Sequence, residues 1–177
     1  MKMKHTFFHC ALLAGLMVTG SASAQDTAHI NFVGTINGPT CSLSTSNITI
    51  PLGAVNKSVF TAVGSPSPWG PNVALVSAGC NASLVSMTFT GAANSSNPNL
   101  FAVTGGAAGV GIQLQQSNTS GGAGGGQAIP NDTTNPVTFA PAAAGAGYSF
   151  TARYVQSDAT ITTGPANATI TVLITYT

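Results

Sequence analysis

The chain has 177 residues, 44% of them hydrophobic, and its charge rests on four Lys or Arg and three Asp, with no Glu. This is not the low-hydrophobicity, high-charge composition of a disordered chain, and it predicts one domain with a sizeable core. Nucleic acids are held by neutralising several phosphates with Lys and Arg, and this chain has too few of either for that role.

Lys2 and Lys4 precede an apolar run through Phe7, Phe8, Cys10 to Leu13 and Leu16 to Val18, which ends in the small residues Ser21-Ala-Ser-Ala24. The pattern is that of a secretory signal peptide, residues 1–24, with cleavage expected before Gln25. The run is broken by His9, Thr19, Gly20 and Ser21, whereas a bilayer-spanning helix takes about 20 continuous apolar residues. The mature chain keeps Lys57 and Arg153 against Asp26, Asp132 and Asp158. We therefore expect no nucleic-acid binding and no membrane insertion of the mature chain. Catalytic dyads and triads need titratable groups within mutual reach. The mature inventory is His29, the three Asp, Tyr148, Tyr154 and Tyr176, so no catalytic residue and no cofactor is assigned and the protein is not expected to be an enzyme.

Along the mature chain the dominant period is two, the signature of β-strands. Ala28, Ile30, Phe32, Gly34 and Ile36 alternate with His29, Asn31, Val33 and Thr35 to make an amphipathic N-terminal strand. Leu43 to Leu52 follows, then Val73 to Cys80, Leu84 to Phe89, Leu100 to Val103, Val110 to Leu114, Val137 to Phe139, Tyr148 to Val155 and Ala168 to Tyr176. Short strands without a long helix predict a sandwich.

With Cys10 lost in the signal peptide, Cys41 and Cys80 remain as a pair in an oxidising setting and are expected to form a disulfide, contributing roughly 4 kcal/mol for a loop of about 40 residues. A metal site would want about four ligands in local spacing, and no His lies near either cysteine. The stretches around Gly64-Ser-Pro-Ser-Pro-Trp-Gly-Pro71, Ala92 to Asn99, Ser117 to Gly126 and Ala140 to Gly147 read as loops. Gly121 to Gly126 lacks the helix start and Lys of a phosphate-binding loop and reads as a flexible hairpin loop. Trp69 is open to two readings, a ligand-stacking ring or a loop anchor packed on the sandwich.

The last strand puts Ala168, Ile170, Val172, Ile174 and Tyr176 on one face and Thr169, Thr171, Leu173, Thr175 and Thr177 on the other. It and the N-terminal strand each demand burial of one face. Periodicity does not decide whether they pair within the chain or with another chain, because strand addition uses the same ladder.

Phe32-Val-Gly-Thr-Ile36 before Cys41, Pro51-Leu-Gly-Ala-Val55, Met87-Thr-Phe-Thr-Gly-Ala92, Val110-Gly-Ile-Gln-Leu114, Tyr148-Ser-Phe-Thr-Ala-Arg-Tyr154 and Gly164-Pro-Ala-Asn-Ala168, in this order, resemble the type 1-like fimbrial subunits, or pilins, of the bacterial chaperone–usher family. The resemblance implies an all-β, incomplete immunoglobulin-like β-sandwich that lacks its last strand and is completed by donor-strand complementation. It divides the mature chain into an N-terminal donor-strand extension, 25–37 (Ala28, Ile30, Phe32, Gly34, Ile36), and a pilin domain, 38–177. Gly164, Ala168, Ile170, Val172, Ile174, Tyr176 and Thr177 would then line the groove and contact a chaperone, with Gly164 fourteenth from the C-terminus and Tyr176 penultimate, as in the family. The implied partners are neighbouring pilin subunits, a periplasmic chaperone and an outer-membrane usher. The implied role is a structural subunit of an adhesive fimbria, exported through the periplasm to the cell surface. The alternative is a tip-located adhesin or adaptor subunit binding a host glycan directly. Ser77 and Val73 depart from the larger apolar residues more usual in the family, and a looser core or a local register shift is expected there.

Overall fold

The computed structural model describes residues 31, 33–35, 38, 40–117 and 123–177. The signal-peptide reading and the donor-strand positions Ala28, Ile30, Phe32 and Ile36 lie outside the described residues. Asn37–Thr177 forms one compact unit.

Nine strands are described: β1 Cys41–Leu43, β2 Val73–Cys80, β3 Val85–Thr90, β4 Phe101–Ala102, β5 Val110–Ser117, β6 Ala123–Ala128, β7 Val137–Phe139, β8 Gly147–Gln156 and β9 Thr171–Tyr176. The only helical element among the described residues is a 3-10 turn at Lys57–Val59, capped by the Asn56 side chain. The strands form two antiparallel sheets, β1-β2-β8-β5-β4 with β6 also on β5, and β7-β3-β9. The expected all-β architecture is observed.

Alternation buries one face of each sheet in a shared core. Leu75 of β2, Ile112 and Leu114 of β5, and Tyr148, Phe150 and Ala152 of β8 meet Val85, Met87 and Phe89 of β3 and Val137 of β7. Phe139 stands edge-on to Tyr148 at 5.3 Å and to Phe150 at 5.4 Å, and Phe150 edge-on to Phe89 at 5.6 Å. Edge-to-face pairs of this kind contribute about 0.5–1.5 kcal/mol each beyond the area they bury.

Ser77 is 1% exposed at a core position. Its hydroxyl donates to the Ala142 carbonyl at 3.0 Å and accepts from the Gly79 amide at 3.0 Å, so the polar group is satisfied. The β1–β2 register runs Cys41↔Cys80, Ser42↔Gly79, then Leu43↔Ser77, which skips Ala78. Gly79 sits at φ 125°, a conformation that side chains resist. The expected register shift is therefore a bulge, beside the Cys41–Cys80 disulfide that ties β1 to β2.

Three segments depart from expectation. Of the strand expected over Leu43–Leu52, only Cys41–Leu43 pairs; beyond Ser44, whose amide donates to the Val76 carbonyl, the chain still alternates in burial but has no ladder partner among the described residues. The glycine-rich hairpin is not a loop up to Gly126, because Ala123–Ala128 pairs with β5. A side chain at Gly125 would strike that of Gln116, which would have to swing aside. The proline-rich segment runs along the edge of β8, with the amides of Gly64, Ser67 and Gly70 donating to the carbonyls of Gln156, Tyr154 and Ala152. Its prolines lack the donors for a full ladder. Trp69 is half-buried with Arg153 Cζ 4.1 Å from its ring centre, so it is a loop anchor.

The turn after β6 is held by Asp132. Its Oδ1 accepts from Thr134 N (2.8 Å), Thr134 Oγ1 (2.7 Å) and Asn135 N (3.1 Å), and its Oδ2 from Asn135 Nδ2 (2.9 Å). The Asn135 and then the Thr134 side-chain bonds hold the carboxyl down at about 2. A depressed carboxylate pKa adds stability above its unfolded value, and that contribution is lost as pH falls through the folded value. Asp132→Asn should thus lower the thermal midpoint by a constant amount between pH 7 and 4, and the difference from wild type should shrink toward pH 2. Cys41→Ser should remove up to about 4 kcal/mol and lower the yield of folded protein from an oxidising compartment. Equal melting with and without reductant would contradict a stabilising bridge.

A candidate strand-acceptor groove

β3 and β9 share one ladder and the same period, yet they are buried to different degrees. Val85, Met87 and Phe89 of β3 are no more than 2% exposed, whereas Val172, Ile174 and Tyr176 of β9 are half-buried, as are Ala168 and Ile170 ahead of them. β9 pairs with β3 over all six of its residues. Its other edge has no ladder partner among the described residues. A second row, Leu43, Ile48, Ile50 and Leu52, packs on the same core and is also half-buried. Each row is an apolar face that packs on the core yet stays half-buried.

The segments that continue these two rows face each other across a cavity of about 410 Å³, walled by Val55, Phe60 and Lys57 on one side and by Ile161, Gly164 and Asn167 on the other, with Tyr154 behind. Tyr154 donates its hydroxyl to the Ala166 carbonyl at 2.7 Å and so fixes this wall, and burial raises its pKa. At the other end the C-terminal residue is anchored: Thr177 N donates to the Leu84 carbonyl (3.0 Å), and its own carbonyl accepts from Ser83 N (2.6 Å) and Leu84 N (2.9 Å). The Tyr176 phenol is raised first by burial and then by Tyr148 beside it. Lys57 is the one charged residue on the cavity wall among the described residues. No cluster of metal-ligating groups occurs among the described residues, and no helix there is long and apolar enough to cross a membrane.

The predicted groove residues Ala168, Ile170, Val172, Ile174, Tyr176 and Thr177 therefore lie together along one free edge. Gly164 lies on the cavity wall, where a Cβ would come within 2.8 Å of Ala107 N and Gly106 C. The Ala107 amide donates to the Pro165 carbonyl at 3.1 Å, which locks that approach. Whatever else contacts it, Gly164 is needed by its own domain. Of the predicted donor positions only Gly34 is described; Asn31 and Val33–Thr35 join no ladder, and Val33 is 99% exposed. Ile48, Ile50 and Leu52 read in the sequence as an ordinary strand, and nothing local marked them as a groove wall. The cavity residues Phe60 and Ile161 gave no signal, and Val55 only as the end of the Pro51–Val55 motif, because the three meet only through the fold.

The profile of the family described as Fimbrial protein matches residues 30–177. The chain belongs to the fimbrial protein family. It is 34% identical over 174 residues to a type-1 fimbrial protein subunit of Serratia marcescens, spanning 93% of this chain and 96% of that one. To a probable major fimbrial subunit, LpfA, of Escherichia coli O157:H7 it is 31% identical, over 98% of this chain and 97% of the other. Among solved structures it is similar to the P pilus rod subunit PapA, with TM-score 0.62 and 20% identity over 77% of this chain and 99% of that one. A chaperone–usher pilus structure aligns with TM-score 0.60 and 20% identity over 89% of this chain and all of the other. The fold is thus the immunoglobulin-like sandwich of pilus subunits, and this fimbrial protein is a structural subunit.

For this subunit Gly164→Val should lower the melting temperature of the domain itself, because the Gly106–Ala107 backbone has to move. Thr163→Val, next to it and exposed, should leave the melting temperature nearly unchanged. An unchanged midpoint in Gly164→Val would show that the close approach is not constraining.

Proposed function

We propose that the subunit polymerises by donor-strand exchange: the groove beside β9 accepts residues 28–36 of a neighbouring copy, after a periplasmic chaperone has occupied the same groove and an outer-membrane usher has directed the replacement. The proposed route runs through the periplasm, after removal of residues 1–24, to a fimbria on the cell surface. The observation that carries this reading is the contrast between the inward face of β3, fully buried, and that of β9, half-buried with no ladder partner on its other edge among the described residues, inside one ladder.

The energetics favour an added strand. Ile30, Phe32 and Ile36 would contribute about 1.5–3 kcal/mol each when buried, and the main chain of β9 would gain the ladder bonds that its free edge lacks. Gly34, with no side chain, suits a close backbone approach. An exposed apolar edge is otherwise a site of aggregation, which is the need a chaperone meets. The cavity at the end of the groove offers room for one further donor side chain.

Ile30→Asp with Phe32→Asp places carboxylates where the acceptor offers only desolvated apolar contacts. The double variant should still form the Cys41–Cys80 bridge and co-purify with its chaperone, yet be absent as a donor from fibres, read as loss of detergent-resistant multimers. Normal fibres from this variant would refute donor-strand exchange. A variant that misfolds even with chaperone present would instead place residues 28–36 in the chain's own sheet.

A further inference from the structure

Lys57, Asp132, Arg153 and Asp158 carry the side-chain charge of the pilin domain, and none of them forms an ion pair with a described residue. Asp132 is fully engaged by Thr134 and Asn135. Arg153 is different. It alternates with the core residues of β8 and so stands on the sheet's other face, opposite Gln113 of β5. Its guanidinium stacks on Trp69 at 4.1 Å, and its Nε donates to Gln113 Oε1 at 2.7 Å. Gln113 Nε2 then donates to Gln127 Oε1 at 2.9 Å, and Gln127 Nε2 to the Asn99 carbonyl at 2.8 Å.

This row across β8, β5 and β6 fixes the guanidinium while leaving its terminal nitrogens without a hydrogen bond to any described residue. What it presents outward is a pre-oriented pair of charged donors, the geometry that selects a carboxylate. Much of the side-chain ordering that weakens ordinary surface ion pairs has already taken place.

The chain supplies one carboxylate in the complementary condition. Asp158 is exposed just beyond β8; its Oδ1 accepts from Ala159 N at 2.7 Å, and its Oδ2 takes only a long 3.4 Å contact from Ser96 Oγ. Four lone-pair sites are thus incompletely used. The strand ends at Gln156 and the chain bends at Asp158, while Arg153 is held back on Trp69 and Gln113, and no ion pair joins the two within the chain. We infer that Arg153 of one copy binds Asp158 of another, in a lateral contact between subunits of neighbouring fibres that is separate from the groove. This contact rests on the fibre proposed above.

The test uses fibres of the full-length protein made with its chaperone and usher, as wild type, Arg153→Gln, Asp158→Asn and the charge swap R153D/D158R. All four should give the same detergent-resistant multimer ladder, which reports the head-to-tail joint alone. In electron micrographs the wild-type fibres should pack laterally and loosen as salt is raised. Both single variants should lose this packing, and the swap should regain it. Single variants that keep wild-type packing, or a swap that fails to restore it with its ladder intact, overturn the inference. Should Arg153→Gln fail to fold, Asp158→Asn and Asp158→Lys, on an exposed loop, decide the same question. Unaltered packing combined with Arg153-dependent retention on a sialic acid resin would assign the site to an acidic glycan and equally overturn the contact. Absence of the ladder in wild type would refute donor-strand exchange instead.

Discussion

The domain is built around one strand position, beside β9, that no described residue fills. Among the described residues the main chain of β9 is bonded along one edge only, and the side chains beneath it, Val172, Ile174 and Tyr176, pack on the core but stay half-buried. Open edges in soluble proteins are usually guarded by charge, proline or a covering loop. Here the outward residues are Thr171, Leu173 and Thr175, with Leu173 65% exposed, and no charged side chain stands on the strand. An edge so lightly guarded fits a chain that is meant to gain a strand from a partner. In the proposed fibre, stability becomes inseparable from the presence of that partner.

A sandwich that leaves one position open must hold the others firmly, and the described contacts do so. The Cys41–Cys80 bridge fastens β1, whose chain then leaves the sheet to form the second apolar row. The edge-to-face cluster of Phe89, Phe139, Tyr148 and Phe150 fills the centre between the sheets. Tyr154 and the Gly106–Ala107 turn fix the approach to β9 from the cavity side. The groove is thus framed by bonded backbone at both ends, so an incoming strand meets a preformed surface and less of its binding energy is spent on ordering.

The scarcity of charge has a second consequence. A surface of Ser, Thr, Asn and Gln is well solvated but carries little long-range repulsion, so copies of the chain can approach one another closely. Against that background a single stacked guanidinium is a strong local feature. The Arg153 row and the β9 groove sit on different sheets, so head-to-tail joining and lateral packing can be governed by separate residues.

The period-two alternation and the Cys pair were enough to read an all-β domain with a disulfide. Alternation reports which face of a strand is apolar, and the apolar faces of Val85–Thr90 and Thr171–Tyr176 look alike in the sequence. Only the tertiary structure showed that one is sealed and the other half-open, because burial depends on which elements lie opposite. The same reason hid the groove wall at Ile48–Leu52, which alternates like a paired strand, and the pairing of Ala123–Ala128, whose glycines carry no side-chain pattern. It also decided Trp69: a ring among prolines is ambiguous until Arg153, distant in the chain, is found stacked upon it.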